Sequence, residues 1–327
     1  MTEKIIFLVR SGAIFKISFG HLYRCLIICN ELRKIKKFNP LFITNKDLTT
    51  KKILDNHKIN NISLKKFENH YLIKEIIKSG AKKIIIDTYD FVNPQFIRFL
   101  KKKKIKSILI DDFPKKKISS DIIYNYSIIS KLKKKYYGYK KIFYGTKYFF
   151  SKSIKKDFYR GGIKNILVFF GGSDIKNFSQ KVMLNLKKLQ VKNKITLVLG
   201  PGNSKKKYLY LKKKYLFNKN IKIKYFVKNI DNEIKNNDII ITSCGLNMYK
   251  SMSNKKICLV IPTSPHEDKI SKYVMELNLG FVLKKNLSNL KKVLFNLINQ
   301  KPSIKIIKYQ LSKYFGKSKF DDFLKSI

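Results

Sequence analysis

Short aliphatic runs alternate with longer stretches of helical period from one end of the chain to the other. Residues 4–9, reading KIIFLV, are apolar without a break after the lysine and are too few for a helix. That is the pattern of a strand buried on both faces of a sheet. Residues 21–36 then repeat apolar positions at three- and four-residue spacing, which predicts a helix. The alternation continues with strands at 39–44, 83–87 and 105–111 and helices at 69–79 and 94–103. A second series starts at 164, with strands at 164–170, 195–199, 221–226, 238–242 and 256–261. Helices at 177–189 and 204–216 lie among them, and further helices are expected between the last three strands. Such alternation predicts an α/β fold of parallel sheets covered by helices on both faces.

The stretch 136–162 breaks the rhythm, being aromatic and basic and ending in Gly161-Gly162. It divides the chain into an expected N-terminal domain at 1–145, a linker at 146–163 and a C-terminal domain at 164–327. A chain of 327 residues also exceeds the roughly 250–300 at which one core stops growing. Two doubly wound halves facing each other leave a cleft at the carboxyl ends of their strands, where such folds bind ligands.

Candidate chemistry gathers at those strand ends. The first strand runs out at Arg10, and the loop after it carries two glycines before His21 opens a helix. Gly20 lets a ligand approach the backbone, and the helix start offers unpaired N–H groups to a phosphate. The same positive end favours the neutral imidazole that a general base needs, which raises His21 above an ordinary loop histidine. Gly171-Gly172-Ser173-Asp174 and Ser243-Cys244-Gly245-Leu246-Asn247 each follow a strand and are similar candidate anion turns, whereas Gly200-Pro201-Gly202-Asn203 reads as a plain turn. Asp87 and Asp90 bracket Tyr89 past one strand, and Asp111-Asp112 ends the next. Substrate contact and helix or turn capping both fit aspartates so placed.

Composition changes this picture only in part. The formal charge is +51, carried by 67 lysines and five arginines spread over the whole length. Lys, Asn and Ile are what an A/T-rich coding sequence supplies, so the charge reads as solvated faces. Specific nucleic-acid binding would draw on arginine and on one concentrated face, so none is expected; weak attraction of polyanions and steering of anionic substrates are. Cys25, Cys29, Cys244 and Cys258 have no metal-ligand spacing and read as buried thiols of a reducing, cytoplasmic compartment. No apolar run approaches the ~18 residues of a transmembrane segment.

Taken in order, Phe19-Gly20-His21-Leu22-Tyr23-Arg24-Cys25, Asp87-Thr88-Tyr89-Asp90, Ile110-Asp111-Asp112, Tyr144-Gly145, Phe170-Gly171-Gly172-Ser173-Asp174 and Leu199-Gly200-Pro201-Gly202 form a recognisable set. Over nearly the whole chain the sequence resembles the UDP-2,4-diacetamido-2,4,6-trideoxy-β-L-altropyranose hydrolases of pseudaminic acid synthesis and related spore-coat polysaccharide proteins. The resemblance implies a GT-B-type fold, with two Rossmann-like parallel-sheet domains facing a nucleotide-sugar cleft. It implies an inverting hydrolase that releases UDP and a free acylated aminosugar from the nucleotide-sugar substrate, with His21 as the catalytic base. It places Tyr89 on the substrate, with Gly171, Gly172 and Ser173 facing the diphosphate, and Arg10, Gly20, Arg24 and Asp87 are taken as further substrate contacts of the first half. Gly245, Asn247, Lys250, Glu267 and Asp268 complete the nucleotide side. No cofactor and no metal are implied, and the chain has no Asp-x-Asp triplet to hold a divalent ion.

The nucleotide half departs from the family pattern. Where relatives carry Gly-Leu-Thr or Gly-Ser-Thr and then a ribose-binding Glu, this chain has Gly245-Leu246-Asn247 and then Lys250, and His266-Glu267-Asp268 replaces a later Asn-Gln pair. That charge reversal removes a carboxylate-to-ribose bond, which leaves two readings: a nucleotide that sits differently, with Lys250 on a phosphate, or a domain that has drifted from UDP binding. A GT-B glycosyltransferase, in which His21 deprotonates a sugar hydroxyl instead of water, is the first alternative. A non-catalytic binder of nucleotide-sugars or polyanions is the second.

Overall fold

A computed structural model describes residues 2–12, 19–88, 93–112, 120–136, 139–150, 162–299 and 301–327. The chain forms two compact units, 1–150 with 319–327, and 151–318.

The first unit runs β1 (Glu3–Val9), α1 (Gly20–Ile35), β2 (Phe38–Asn45), α2 (Leu48–Asn56), β3 (Asn60–Leu64), α3 (Asn69–Ser79), β4 (Lys83–Asp87), α4 (Pro94–Lys102), β5 (Lys106–Ile110), β6 (Ile122–Asn125) and β7 (Ile142–Tyr144). Its seven strands pair in parallel in the order β3-β2-β1-β4-β5-β6-β7. The apolar run predicted as a doubly covered strand is the central β1, with Ile5 to Val9 all buried. Ile6 and Leu8 pack with Ile84, Ile86, Leu72, Ile76, Phe96 and Leu100. Phe7, whose side chain alternates to the opposite face, stacks on Phe42 at 4.7 Å. Several helices begin where the sequence supplies a cap: the Asn93 side chain accepts from Phe96 N at 2.8 Å with Pro94 following it, and Asp47 accepts from Thr50 N at 2.7 Å.

The second unit runs β8 (Asn165–Val168), α5 (Phe178–Lys188), β9 (Lys194–Leu199), α6 (Lys205–Lys214), β10 (Ile221–Tyr225), α7 (Ile230–Lys235), β11 (Ile239–Thr242), α8 (Leu246–Ser253), β12 (Ile257–Val260), α9 (Pro265–Glu276), β13 (Phe281–Val282), α10 (Leu290–Asn299) and α11 (Lys301–Tyr314). Its six parallel strands take the order β10-β9-β8-β11-β12-β13. The core joins Ile166, Val168, Leu197 and Ile241 of the sheet to Val182, Met183, Leu186 and Leu211 of the helices.

The last helix, α12 (Phe320–Ser326), belongs to the first unit, although the sequence reading carries the C-terminal domain to residue 327. Aromatic packing draws it there: Phe323 stacks on Tyr124 at 4.0 Å and meets Phe143 edge-on at 5.5 Å, and Phe320 lies 5.8 Å from Phe150. Phe149 and Phe150 pack against Tyr126 in turn, so the first five residues of the expected linker are part of the first unit, while 151–161 lie outside the described residues. No helix among the described residues is long and apolar enough to cross a membrane.

Candidate active site

In each sheet the chain first winds outward in one direction and then returns to the other side of its first strand. Loops leaving the two strands at that reversal diverge and open a crevice at the carboxyl edge. The pairs are β1 with β4 in the first unit and β8 with β11 in the second. Most of the described residues singled out in the sequence lie on these four strands or in the loops and helices that follow them; Asp111-Asp112 follows β5, the turn at 200–203 follows β9, and Glu267 and Asp268 come after β12.

In the first unit, register places Val9 opposite Asp87, so the loop after β1 begins level with that carboxylate. Arg10 N lies 3.5 Å from Asp87 O. Beyond it the loop is tied to β2: Ser11 N donates to Asn45 Oδ1 at 2.9 Å, Asn45 Nδ2 donates to Ser11 O at 2.8 Å, and Ser11 Oγ lies 2.9 Å from Thr50 Oγ1. Gly12 is required here, with φ +122° and Asp47 Oδ2 2.6 Å from where a Cβ would stand. Gly20 opens α1, and a Cβ there meets no described atom within 4 Å.

His21 Nδ1 is 2.6 Å from Asp87 Oδ1. Arg24, one helical turn on, aims inward from the same helix face: Nε donates to Asp87 Oδ2 at 2.6 Å and Nη2 to Asp87 Oδ1 at 2.6 Å. Its Nη1 donates to Asp112 Oδ1 at 2.7 Å and to Tyr126 Oη at 3.0 Å. Cys25 Sγ adds a long 3.6 Å contact to Asp87 Oδ2. The Asp87 side chain is 1% exposed and that of His21 17%. Burial alone pushes a carboxyl up, but the Arg24 guanidinium and His21 outweigh it and hold Asp87 well below the usual carboxylate range. Arg24 likewise lowers Asp112 against the effect of burial.

An ionised Asp87 can only accept, so His21 Nδ1 carries the ring proton and donates it to Oδ1. The ring's lone pair is then on Nε2. Arg24 Nη2, 3.1 Å from His21 Nδ1, meets it donor to donor and is held there by the shared carboxylate. A neutral imidazole with a fixed tautomer and a buried anion behind it can take up a proton and be stabilised as the imidazolium.

Arg24 and Asp87, expected on the substrate, bond one another instead, and Asp87 also holds His21 while Arg24 also holds Asp112 and Tyr126. Tyr126 was missing from the expected site, and Asp112 was a candidate only as one of the aspartates at strand ends. Asp112 left a signal, an acid at the end of the next strand, whereas nothing near Tyr126 marks it out. Tyr89 and Asp90 lie outside the described residues.

In the second unit the Gly171–Asp174 turn follows β8 and the Ser243–Asn247 turn follows β11. They are neighbours: a Cβ on Gly171, whose φ is +78°, would stand 3.6 Å from Asn247 Nδ2. Gly172 O accepts from Gly202 N at 2.8 Å. Gly200 is more than a plain turn residue, because a Cβ there would fall 2.2 Å from Gly171 O and 2.6 Å from Gly172 O. Asp174 caps α5, accepting from Phe178 N at 2.8 Å and Ser179 N at 3.0 Å. Ser173, between Gly172 and that cap, is half-buried.

Gly245 caps α8. Glu267, from the turn after β12, closes on the same place: its Oε2 accepts from Thr263 N at 2.7 Å and Thr263 Oγ1 at 2.8 Å, and Oε1 is 3.6 Å from a Cβ on Gly245. Burial raises the Glu267 carboxyl despite hydrogen bonds from Thr263, Cys244 N and Ser243. Lys250 does not stand unengaged: its Nζ donates to Asp231 Oδ1 at 3.0 Å. Asp268 pairs with Lys285 at 3.0 Å in an exposed position.

Residues 165–325 match the glycosyltransferase family 28 C-terminal domain. The uncharacterized protein MJ1062 of Methanocaldococcus jannaschii is 33% identical over 264 residues, covering 75% of this chain and 53% of that protein. The chain therefore spans about half the length of the curated relative it matches. MurG of Acinetobacter baumannii is similar in structure with a TM-score of 0.68 at 10% identity, covering 99% of each chain. MnaA of S. aureus, in a co-structure with UDP, has a TM-score of 0.68 at 11% identity over 99% of this chain and 95% of its own. UGT2 of Phytolacca americana, complexed with UDP-2fluoro-glucose and pterostilbene, has a TM-score of 0.68 at 9% identity over 99% and 98%. The two parallel-sheet α/β domains have the GT-B fold.

Proposed function

We propose that the chain is a nucleotide-sugar hydrolase that adds water at C1 of a UDP-activated acylated aminosugar, releasing UDP and the free sugar with inverted configuration. The observation that carries this reading is the buried network in which Arg24 holds Asp87 ionised and Asp87 holds the His21 Nδ1 proton. His21 Nε2 takes a proton from water as the water oxygen bonds to C1. The bond from C1 to the diphosphate breaks, and its electron pair leaves on the β-phosphate oxygen of UDP. Asp87 stabilises the imidazolium that forms, the role a buried carboxylate plays behind a base histidine. Arg24 is a positioning residue, while Arg10 and Gly20 line the sugar side, and a sugar contact for Tyr89 rests on the sequence resemblance alone.

The glycine turns of the second unit are its own candidate anion site. Backbone N–H groups at Gly171, Gly172 and Ser173 receive the diphosphate, with the start of α8 at Gly245 and Asn247 beside them. Glu267 and Asp268 serve the nucleotide, and Lys250 reaches its phosphates by exchanging Asp231 for them. The match to a glycosyltransferase domain and the UDP and UDP-sugar bound in the MnaA and UGT2 structures support a nucleotide-sugar ligand.

That same domain match favours a second reading, a glycosyltransferase in which His21 deprotonates an acceptor hydroxyl. Turnover in ¹⁸O-labelled water separates the two. Label in the released sugar supports hydrolysis at C1; label in UDP means attack at phosphorus, and turnover only with an added acceptor means transfer. His21→Asn should cut turnover by about 10²–10⁴ with UDP affinity little changed. Wild-type turnover in that variant would remove His21 from the mechanism.

A further inference from the structure

An apolar ridge stands out of the second unit where α6 turns towards β10. Leu209 and Tyr210 are each 53% exposed, Leu216 is 62% exposed and Phe217 95%. The coil of α6 continues into the turn, with Tyr215 N donating to Leu211 O at 3.1 Å and Leu216 N to Lys213 O at 3.2 Å. Leu209 and Tyr210 lie on the exposed side of α6, and Leu216 and Phe217 follow in the turn at its end. Packing uses the other side: Leu211 and Tyr215 are buried, and Tyr208 stacks on Tyr225 at 5.4 Å. The segment therefore has one apolar face inside the protein and another in water. Single exposed apolar residues need no explanation, but four within nine positions do.

The ridge is set in positive charge. Lys205, Lys206, Lys212, Lys213 and Lys214 flank or interrupt it on the helix, and all are exposed. Lys214 Nζ lies over the Tyr210 ring at 5.5 Å. Just past Phe217, Lys219 and Lys222 converge with Lys194 on one shallow cleft. From residue 175 to 230 the chain has 16 lysines and no aspartate or glutamate, although it carries 21 acidic residues in all.

These features select a partner. A dissolved polyanion would engage the lysines and leave Leu216 and Phe217 in water. A second copy of the chain would bring the same lysines face to face. A bilayer surface containing anionic lipid satisfies both features, because apolar side chains enter the acyl boundary while lysine stems lie along it and place their ammonium groups among the phosphates. We infer that residues 205–219 dock this protein on an anionic membrane surface. The segment lies on the surface and does not span it, and the inference stands independently of the reaction catalysed.

Co-sedimentation of the full chain with vesicles tests it. The protein should bind vesicles of equal phosphatidylglycerol and phosphatidylcholine, and binding should weaken as salt rises. Leu216→Ser with Phe217→Ser should lower affinity about tenfold or more, and Lys212→Gln with Lys213→Gln by a similar factor. All four side chains are exposed, and an unchanged thermal midpoint shows that each variant folds. Equal binding to pure phosphatidylcholine would overturn the inference. So would wild-type vesicle affinity in the serine variant, which would reduce the surface to a polyanion site. A concentration-dependent dimer abolished by the serine changes, with no vesicle binding, would assign the ridge to a second copy instead.

Discussion

Replacing Asp87 by asparagine removes a charge and an acceptor from a position surrounded by donors. Asp87 accepts from Arg24 Nε and Nη2 and from His21 Nδ1, each at 2.6 Å, with Cys25 Sγ at 3.6 Å. An asparagine has one oxygen to offer. If it faces His21 and Nη2, its amide meets Arg24 Nε donor to donor. If it turns the other way, the amide donates to His21 Nδ1 and moves the ring proton to Nε2, where it blocks a base. Breaking one side of a buried ion pair costs about 3–5 kcal/mol. Asp112 still holds Arg24 Nη1 at 2.7 Å, so the lower end, about 3 kcal/mol, is expected in urea unfolding. Turnover should fall by about 10²–10⁴, read as UDP released from a UDP-aminosugar. Asp112→Asn is the control: among the described residues its hydrogen bond is to Arg24, and it is 31% exposed, so it should cost roughly 1.5 kcal/mol and leave turnover near wild type. Acid unfolding adds a sign. A carboxyl lowered in the folded state contributes stability above its unfolded value of about 3.9, and that contribution is lost as pH falls below it. Asp87→Asn should flatten the acid limb. Wild-type turnover in that variant would refute the role of Asp87 behind His21, and unchanged stability would refute the buried-pair argument itself.

Gly200→Ala places a methyl 2.2 Å from Gly171 O, and should cost about 1–3 kcal/mol in urea unfolding and weaken UDP binding by displacing the Gly171–Gly172 turn. Lys250→Glu sets a carboxylate against Asp231 and should lower the thermal midpoint; adding Asp231→Lys should restore it, and calorimetric titration of that double variant should show weaker UDP binding if Lys250 serves the phosphates. Burial pushes the Lys255 and Lys256 ammonium groups down to about 8, so the folded state holds fewer protons than the unfolded state between pH about 8 and about 10.4. Stability should rise with pH across that window, and by less in Lys255→Met.

Patterns of short range determined the elements and their type. The unbroken apolar runs at 5–9 and 84–86 could only be strands covered on both faces, and they are the neighbours β1 and β4 at the reversal of the first sheet. The helix at 94–103 was legible from its period, and Asn93 before Pro94 starts it because a cap and a fixed φ act within one turn; Ser264 before Pro265 starts α9 in the same way, although the sequence reading placed no helix there. His21 was legible for the same reason, as a histidine opening the helix after the first strand. The polar edge strand β3 was not, since Asn60, Asn61 and Ser63 carry no apolar alternation and are held by pairing with β2.

The rest depended on which strand ends meet. Asp87 is 66 residues from His21, and only the order β1-β4 with Val9 opposite Asp87 brings them to 2.6 Å. Arg24 reads as a substrate contact until the fold sets Asp87, Asp112 and Tyr126 around its guanidinium. Gly200 looks like any turn glycine until the neighbouring turn lies against it. α12 belongs with the first unit because its two phenylalanines find Tyr124, Phe143 and Phe150. Periodicity encodes which face of an element is buried; the partner of a polar side chain is set by the topology that joins distant elements, and no local pattern carries it.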